Sequence, residues 1–116
     1  MENLIENKCV PCSEGEERIQ DSELSEYCLQ IPEWKIIEED GIKKLKRNFK
    51  FKNFIEALRF TNLVGNAAEE MHHHPVILTQ WGKVEVTWWT HKIKGLHKND
   101  FTMANKTDML INSFFQ

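Results

Sequence analysis

The run Glu69-Glu70-Met71-His72-His73-His74-Pro75 places three of the chain's five histidines side by side, next to two carboxylates. A fourth, His91, follows sixteen residues after Pro75. Imidazole can give or take a proton near neutral pH, so such a cluster points to proton-transfer chemistry or to a metal. A metal site needs three or four donors converging on one point. Adjacent side chains diverge in extended chain, and no two histidines stand four apart on one helix. General acid/base work asks only that two imidazoles reach one cavity from different directions, which this layout suits best. A plainer reading stands beside both: histidines after a helix end can simply interact with its C-terminal dipole and solvent.

The elements flanking these residues decide what they can reach. Asn53 offers a helix N-cap, with Glu56 three residues on, the spacing of a capping box. Phe54, Ile55, Leu58, Phe60, Leu63, Val64, Ala67, Ala68 and Met71 then recur at helical period, predicting a helix over 53–71 that ends at the histidines. Pro75 stops it. A strand over 76–81 and a turn at Gly82 lead to an alternating segment over 83–91, with Val84, Val86 and Trp88 on one face and Glu85, Thr87, Trp89 and His91 on the other. A hairpin about Gly82 sets Val76 opposite 87–89 and brings His91 to the His72–Pro75 end of the sheet. Glu69, on the last helical turn, is placed to orient an imidazole or raise its pKa. Trp89 shares a face with His91, so a stacking role is open to it, as to Trp34.

Upstream, residues 1–13 read as a tail around Cys9-Val10-Pro11-Cys12, and 14–116 as a single domain. Its first element is a short amphipathic helix beginning near Ser13 and running to about Cys28, closed by Ile31-Pro32. A strand over 34–38, the turn Asp40-Gly41 and a strand over 42–51 form a first hairpin, with Leu45, Arg47, Phe49 and Phe51 facing one way. A last helix, capped by Asn99 or Asp100, runs to about Phe114 with Met103, Leu110, Ile111 and Phe114 inward. The order α-β-β-α-β-β-α predicts an α+β fold, a four-stranded antiparallel sheet with three helices packed on one face.

The totals narrow the function classes. A chain of 116 residues suits one domain, large enough to bury roughly 65% of its unfolded surface. Fifteen Lys and Arg against eighteen Asp and Glu, a net charge of -3, argue against a nucleic-acid binder. No apolar run approaches the ~20 residues of a membrane span, and the start lacks the basic and apolar regions of a secretory signal. Three cysteines cannot all pair within one chain, and a reducing cytoplasm is the expected setting. Cys9 and Cys12 have the spacing of half a zinc site or a redox pair, but no second pair accompanies them, and a plain thiol pair is the simpler reading.

Glu69, His73-His74-Pro75, Trp81, His91 and Asp100, with Trp81-Gly82-Lys83-Val84, Thr87, Thr90, Gly95-Leu96 and, further back, Phe49 to Phe54 and Trp34, resemble the pterin-4a-carbinolamine dehydratases over about residues 33–105. The resemblance implies the same α+β fold and assembly into a homodimer or tetramer. It also implies removal of water from 4a-hydroxytetrahydropterin to give quinonoid dihydropterin, in recycling the cofactor of aromatic amino-acid hydroxylases, so that a hydroxylase becomes a functional link. No metal or redox cofactor is implied. His73 and His91 become the acid/base pair, His74 holds the pterin, Glu69 tunes the imidazoles, Trp34 lines the pocket, and Pro75 and Trp89 belong to the binding surround. Two positions depart from the animal members: His72 stands where they carry asparagine, and Asn99 where they carry arginine.

A second function class follows from the same resemblance. Animal relatives also act as dimerisation cofactors of a homeodomain transcription factor through helix surfaces, so a non-catalytic binding module is the alternative. Met109 and Phe115 on the last helix would suit such a contact, or self-association.

Overall fold

The computed structural model describes residues 18–115. Its elements are α1 (Asp21–Cys28), β1 (Lys35–Glu39), β2 (Ile42–Lys50), α2 (Phe54–Met71), β3 (Val76–Gln80), β4 (Lys83–Trp88) and α3 (Lys98–Phe114), with a single 3-10 turn (His91–Ile93) between the last two. The four strands form one antiparallel sheet in the order β1-β2-β4-β3. The predicted fold class and element order are therefore found.

The first hairpin closes through Asp40 and Gly41, both at positive φ, in the two-residue turn that the strand twist favours. In the second, Val76 pairs with Thr87, within the expected register. Leu45, Phe49, Val84, Val86 and Trp88 of the inner sheet face pack with Phe60 and Val64 of α2 and with Phe101 and Met103 of α3. Tyr27 anchors α1 by stacking on Phe101, ring centroids 5.3 Å apart.

Four local expectations need correction. The first helix begins at Asp21, because Ile19 donates its backbone N–H to Leu96 O at 2.9 Å and holds its segment extended. Residues 13–17 and the Cys9/Cys12 pair lie outside the described residues. The apolar stripe assigned to α2 is too broad: Phe60, Val64, Ala67 and Ala68 are buried, whereas Phe54, Ile55, Leu58 and Leu63 are exposed. Strand β4 stops at Trp88, where its pairing with Leu45 of β2 ends, so His91 lies beyond it. Finally, α3 is capped by His97, and Asn99 and Asp100 fall inside its first turn.

Candidate active site

Three chain segments meet at the N-terminal end of α3, on the carboxyl group of Asp100. This side chain is wholly buried. Its Oδ1 lies 2.6 Å from His73 Nε2, and its Oδ2 accepts from the Thr90 hydroxyl at 2.8 Å and from the His97 backbone N–H at 2.9 Å. A buried carboxyl without partners would cost several kcal/mol or more; three contacts answer that cost. Asp100 is the third residue of α3, where the helix dipole also favours an acidic group. The His97 side chain completes the reciprocal cap, its Nδ1 accepting from the Asn99 backbone N–H at 3.0 Å.

His73 reaches Asp100 because of how α2 ends. His72 adopts the left-handed conformation (φ 53°, ψ 38°). Its N–H donates to Glu69 O at 3.3 Å, and the His73 N–H donates to Ala68 O at 3.2 Å, the paired bonds of a Schellman termination. The chain thereby turns back, and the His73 ring settles parallel to Trp88, centroids 5.8 Å apart and planes 7° apart. Only 11% of its side chain is exposed.

His74 points outward, 62% exposed, with Nε2 2.7 Å from Glu69 Oε2. The hydrogen bond from His74, and then its charge, hold the Glu69 carboxyl below the usual glutamate range. Pro75 is half-buried and leads directly into β3.

His91 sits in the 3-10 turn with its ring exposed and tilted against Trp89, centroids 4.4 Å apart. Lys44 Nζ lies 4.1 Å from the Trp89 ring centroid. The residue before His91 is the buried Thr90 that donates to Asp100, so one carboxyl group ties the His73 turn to the His91 turn. Among the described residues the ring contact of His91 is with Trp89. The loop it heads is closed by Thr90 and Gly95, Thr90 N–H donating to Gly95 O at 2.9 Å.

Trp34 lies elsewhere. It is buried, and its Nε1 donates to Asp108 Oδ1 at 2.7 Å, beside Arg47 on the same oxygen. Asp108 follows Asp100 by eight residues, about 12 Å along the helix axis. Burial pushes the Asp108 carboxyl up, against the opposing hydrogen bonds from Trp34 and Arg47.

From the sequence Asp100 is legible only as a pattern residue; its partners Thr90 and His97 are not, nor is Trp88, which stacks on His73. The spacing His97-x-x-Asp100 is that of a capping box, but histidine is not among the preferred caps, and the asparagine two residues on drew the assignment. Among the described residues no three His, Cys, Asp or Glu side chains converge as a metal ion requires. An imidazole fixed by a buried carboxyl, with further imidazoles on adjoining turns, has the make-up of a proton-transfer site.

Comparison with known proteins gives consistent matches. The sequence profile described as Pterin 4 alpha carbinolamine dehydratase matches residues 17–110. A relative from Nitrosococcus oceani, provisionally named a pterin-4-alpha-carbinolamine dehydratase, is 56% identical over 111 residues, covering 96% of this chain and 98% of its own. One from Saccharophagus degradans, with the same provisional name, is 56% identical over 110 residues, covering 95% and 97%. Among solved structures, a protein from Brucella melitensis titled transcriptional coactivator/pterin dehydratase superposes with a TM-score of 0.72 at 32% identity, over 81% of this chain and 98% of that one. A pterin dehydratase-like protein titled a RuBisCO assembly factor in the alpha-carboxysome shares the fold, with a TM-score of 0.56 at 19% identity, over 66% and 87%.

Proposed function

Since the chain belongs to the pterin-4-alpha-carbinolamine dehydratase family, we propose that it removes water from 4a-hydroxytetrahydropterin to give quinonoid dihydropterin. The observation that carries this reading is the Asp100 carboxyl, which holds His73 on one oxygen and the turn leading into His91 on the other.

The chemistry asks for what these residues offer. The 4a-hydroxyl leaves poorly as hydroxide, so an imidazolium must protonate it as the C4a–O bond breaks. The N5 proton passes to a second base while the N5 lone pair forms the new C=N bond. One proton is given, one is taken, and water departs. Each transfer by a placed imidazole contributes about 10²–10⁴-fold. We assign His73 and His91 to these transfers. His74, paired with Glu69, holds the pterin at the open side, and Pro75 and Trp89 flank the site.

The test is decay of a 4a-carbinolamine generated in situ by a pterin-dependent hydroxylase. The protein should accelerate it, and the double substitution His73→Ala, His91→Ala should return it to the spontaneous rate. An unaltered rate in the double variant would refute the assignment.

Exposed Phe54, Ile55 and Leu58 on α2 and exposed Met109 and Phe115 toward the C-terminal end of α3 favour self-association as a homodimer or tetramer. The same surface is the basis for the second reading, a binding module for a transcription factor. Capture of such a partner that survives the double histidine substitution would favour it.

A further inference from the structure

Away from the histidines, α1, the β1–β2 turn and residues 94–96 enclose a cleft of about 220 Å³. Arg18, Lys43 and Lys94 enter its lining from three separate segments, and Asp21 is the one carboxylate among the described lining residues. We propose that this cleft binds a small soluble phosphate ester.

Among the described lining residues the charges do not cancel. Asp21 lies 3.5 Å from Lys43 Nζ, but its side chain is 91% exposed, and so open an ion pair neutralises little. Arg18 is held in place: its Nε donates to Ile93 O at 2.8 Å, and its stem runs so close to Gly95 that a Cβ there would meet Arg18 Cδ at 2.6 Å. One hydrogen bond and this close approach thus restrain part of the exposed side chain before any ligand arrives, which removes part of the entropic cost of binding. Its terminal nitrogens have no carboxylate partner among the described residues.

Lys94 adds a second indication. It occupies the left-handed region (φ 50°) as the residue that closes the 3-10 turn, its N–H donating to His91 O at 3.2 Å. For a non-glycine residue this costs about 1–2 kcal/mol. Strain of this kind persists where the surrounding structure over-determines the conformation, and it clusters at ligand-binding sites. Among the described lining residues, three cations and one carboxylate leave a residual charge that matches a phosphate group, which carries about -1.5 to -2 near neutral pH. Ile19, Leu24 and Leu96 give the cleft apolar walls for the organic part of an ester.

The experiment is an amide NMR titration of the full chain with inorganic phosphate and, separately, glycerol phosphate, at constant ionic strength set with chloride. Expected are saturable shifts confined to residues 18–24, 41–43 and 94–96, with a Kd of order 1 mM for phosphate and tighter for the ester. The pair Lys43→Gln and Lys94→Asn, the latter a residue that tolerates the left-handed region, should weaken binding about tenfold or more. Linear, unsaturated shifts, or saturation unaltered by that pair, would overturn the proposal. Sedimentation with phosphatidic acid vesicles, abolished by the pair, would overturn the assignment to a soluble ester in favour of a lipid headgroup.

Discussion

His73 Nε2 and Asp100 Oδ1 stand 2.6 Å apart, and this contact joins the turn after α2 to the first turn of α3. The partner oxygen takes Thr90 and the His97 backbone, so His73 is positioned by the helix cap itself. Among the described residues His91 has no comparable anchor, its exposed ring resting on Trp89.

That difference separates two substitutions that would otherwise look alike. His73→Ala leaves a buried carboxyl oxygen without its partner and should cost about 1–3 kcal/mol of stability as well as activity. His91→Ala should leave stability within about 0.5 kcal/mol while lowering kcat by about 10²–10⁴-fold. Urea denaturation alongside the carbinolamine decay assay reads both quantities. Equal stability losses in the two variants would show that Asp100 does not depend on His73.

His72 is expected to be destabilising where it stands. It holds the left-handed cap of α2, a conformation natural to glycine and tolerated by asparagine. His72→Gly should therefore raise stability by about 1 kcal/mol, while the turn and the His73–Asp100 contact stay in place. A lower denaturation midpoint would mean that the His72 ring makes a compensating contribution.

Much of this was readable beforehand. The Asp40-Gly41 turn, the Asn53 cap of α2 and the alternation through Val84, Val86 and Trp88 are local rules with one dominant cause each, and the structure follows them. The exposed half of the α2 stripe was not readable, because periodicity reports which residues are apolar and not which of them the sheet is wide enough to cover. The early end of β4 escaped notice for a related reason: alternation continues through Trp89 and His91, but the pairing with β2 ends at Leu45. Asp100 could be named from a pattern, yet its role depends on Thr90 and His73 arriving from elements 10 and 27 residues away.

The Glu69–His74 pair should show itself in titration. The hydrogen bond and charge of His74 hold the Glu69 carboxyl below its ordinary range. Whatever the pair contributes to folding is present above the unfolded glutamate pKa and is lost as pH falls through the lowered folded value. Carbon NMR of the Glu69 carboxyl should record a titration that moves up toward the ordinary value in His74→Ala. A titration that does not move would place the cause elsewhere. Because both groups are exposed, the denaturation midpoint at neutral pH should hardly change.

Asp108 should behave in the opposite sense, despite its bonds to Trp34 and Arg47. Burial outweighs those bonds and raises its carboxyl, so folding favours the protonated form. Its contribution is then fully present below the unfolded aspartate pKa and is lost as pH rises through the raised folded value. In Asp108→Asn the group no longer titrates, while an amide oxygen remains to accept from Trp34 Nε1. The stability of the unsubstituted protein relative to this variant should therefore decline as pH climbs through the acid range. Urea unfolding of both proteins at a series of pH values measures that difference. A difference that instead grows with pH would mean that the Arg47 contact dominates over burial, and that this ion pair strengthens the packing of α3 on β2.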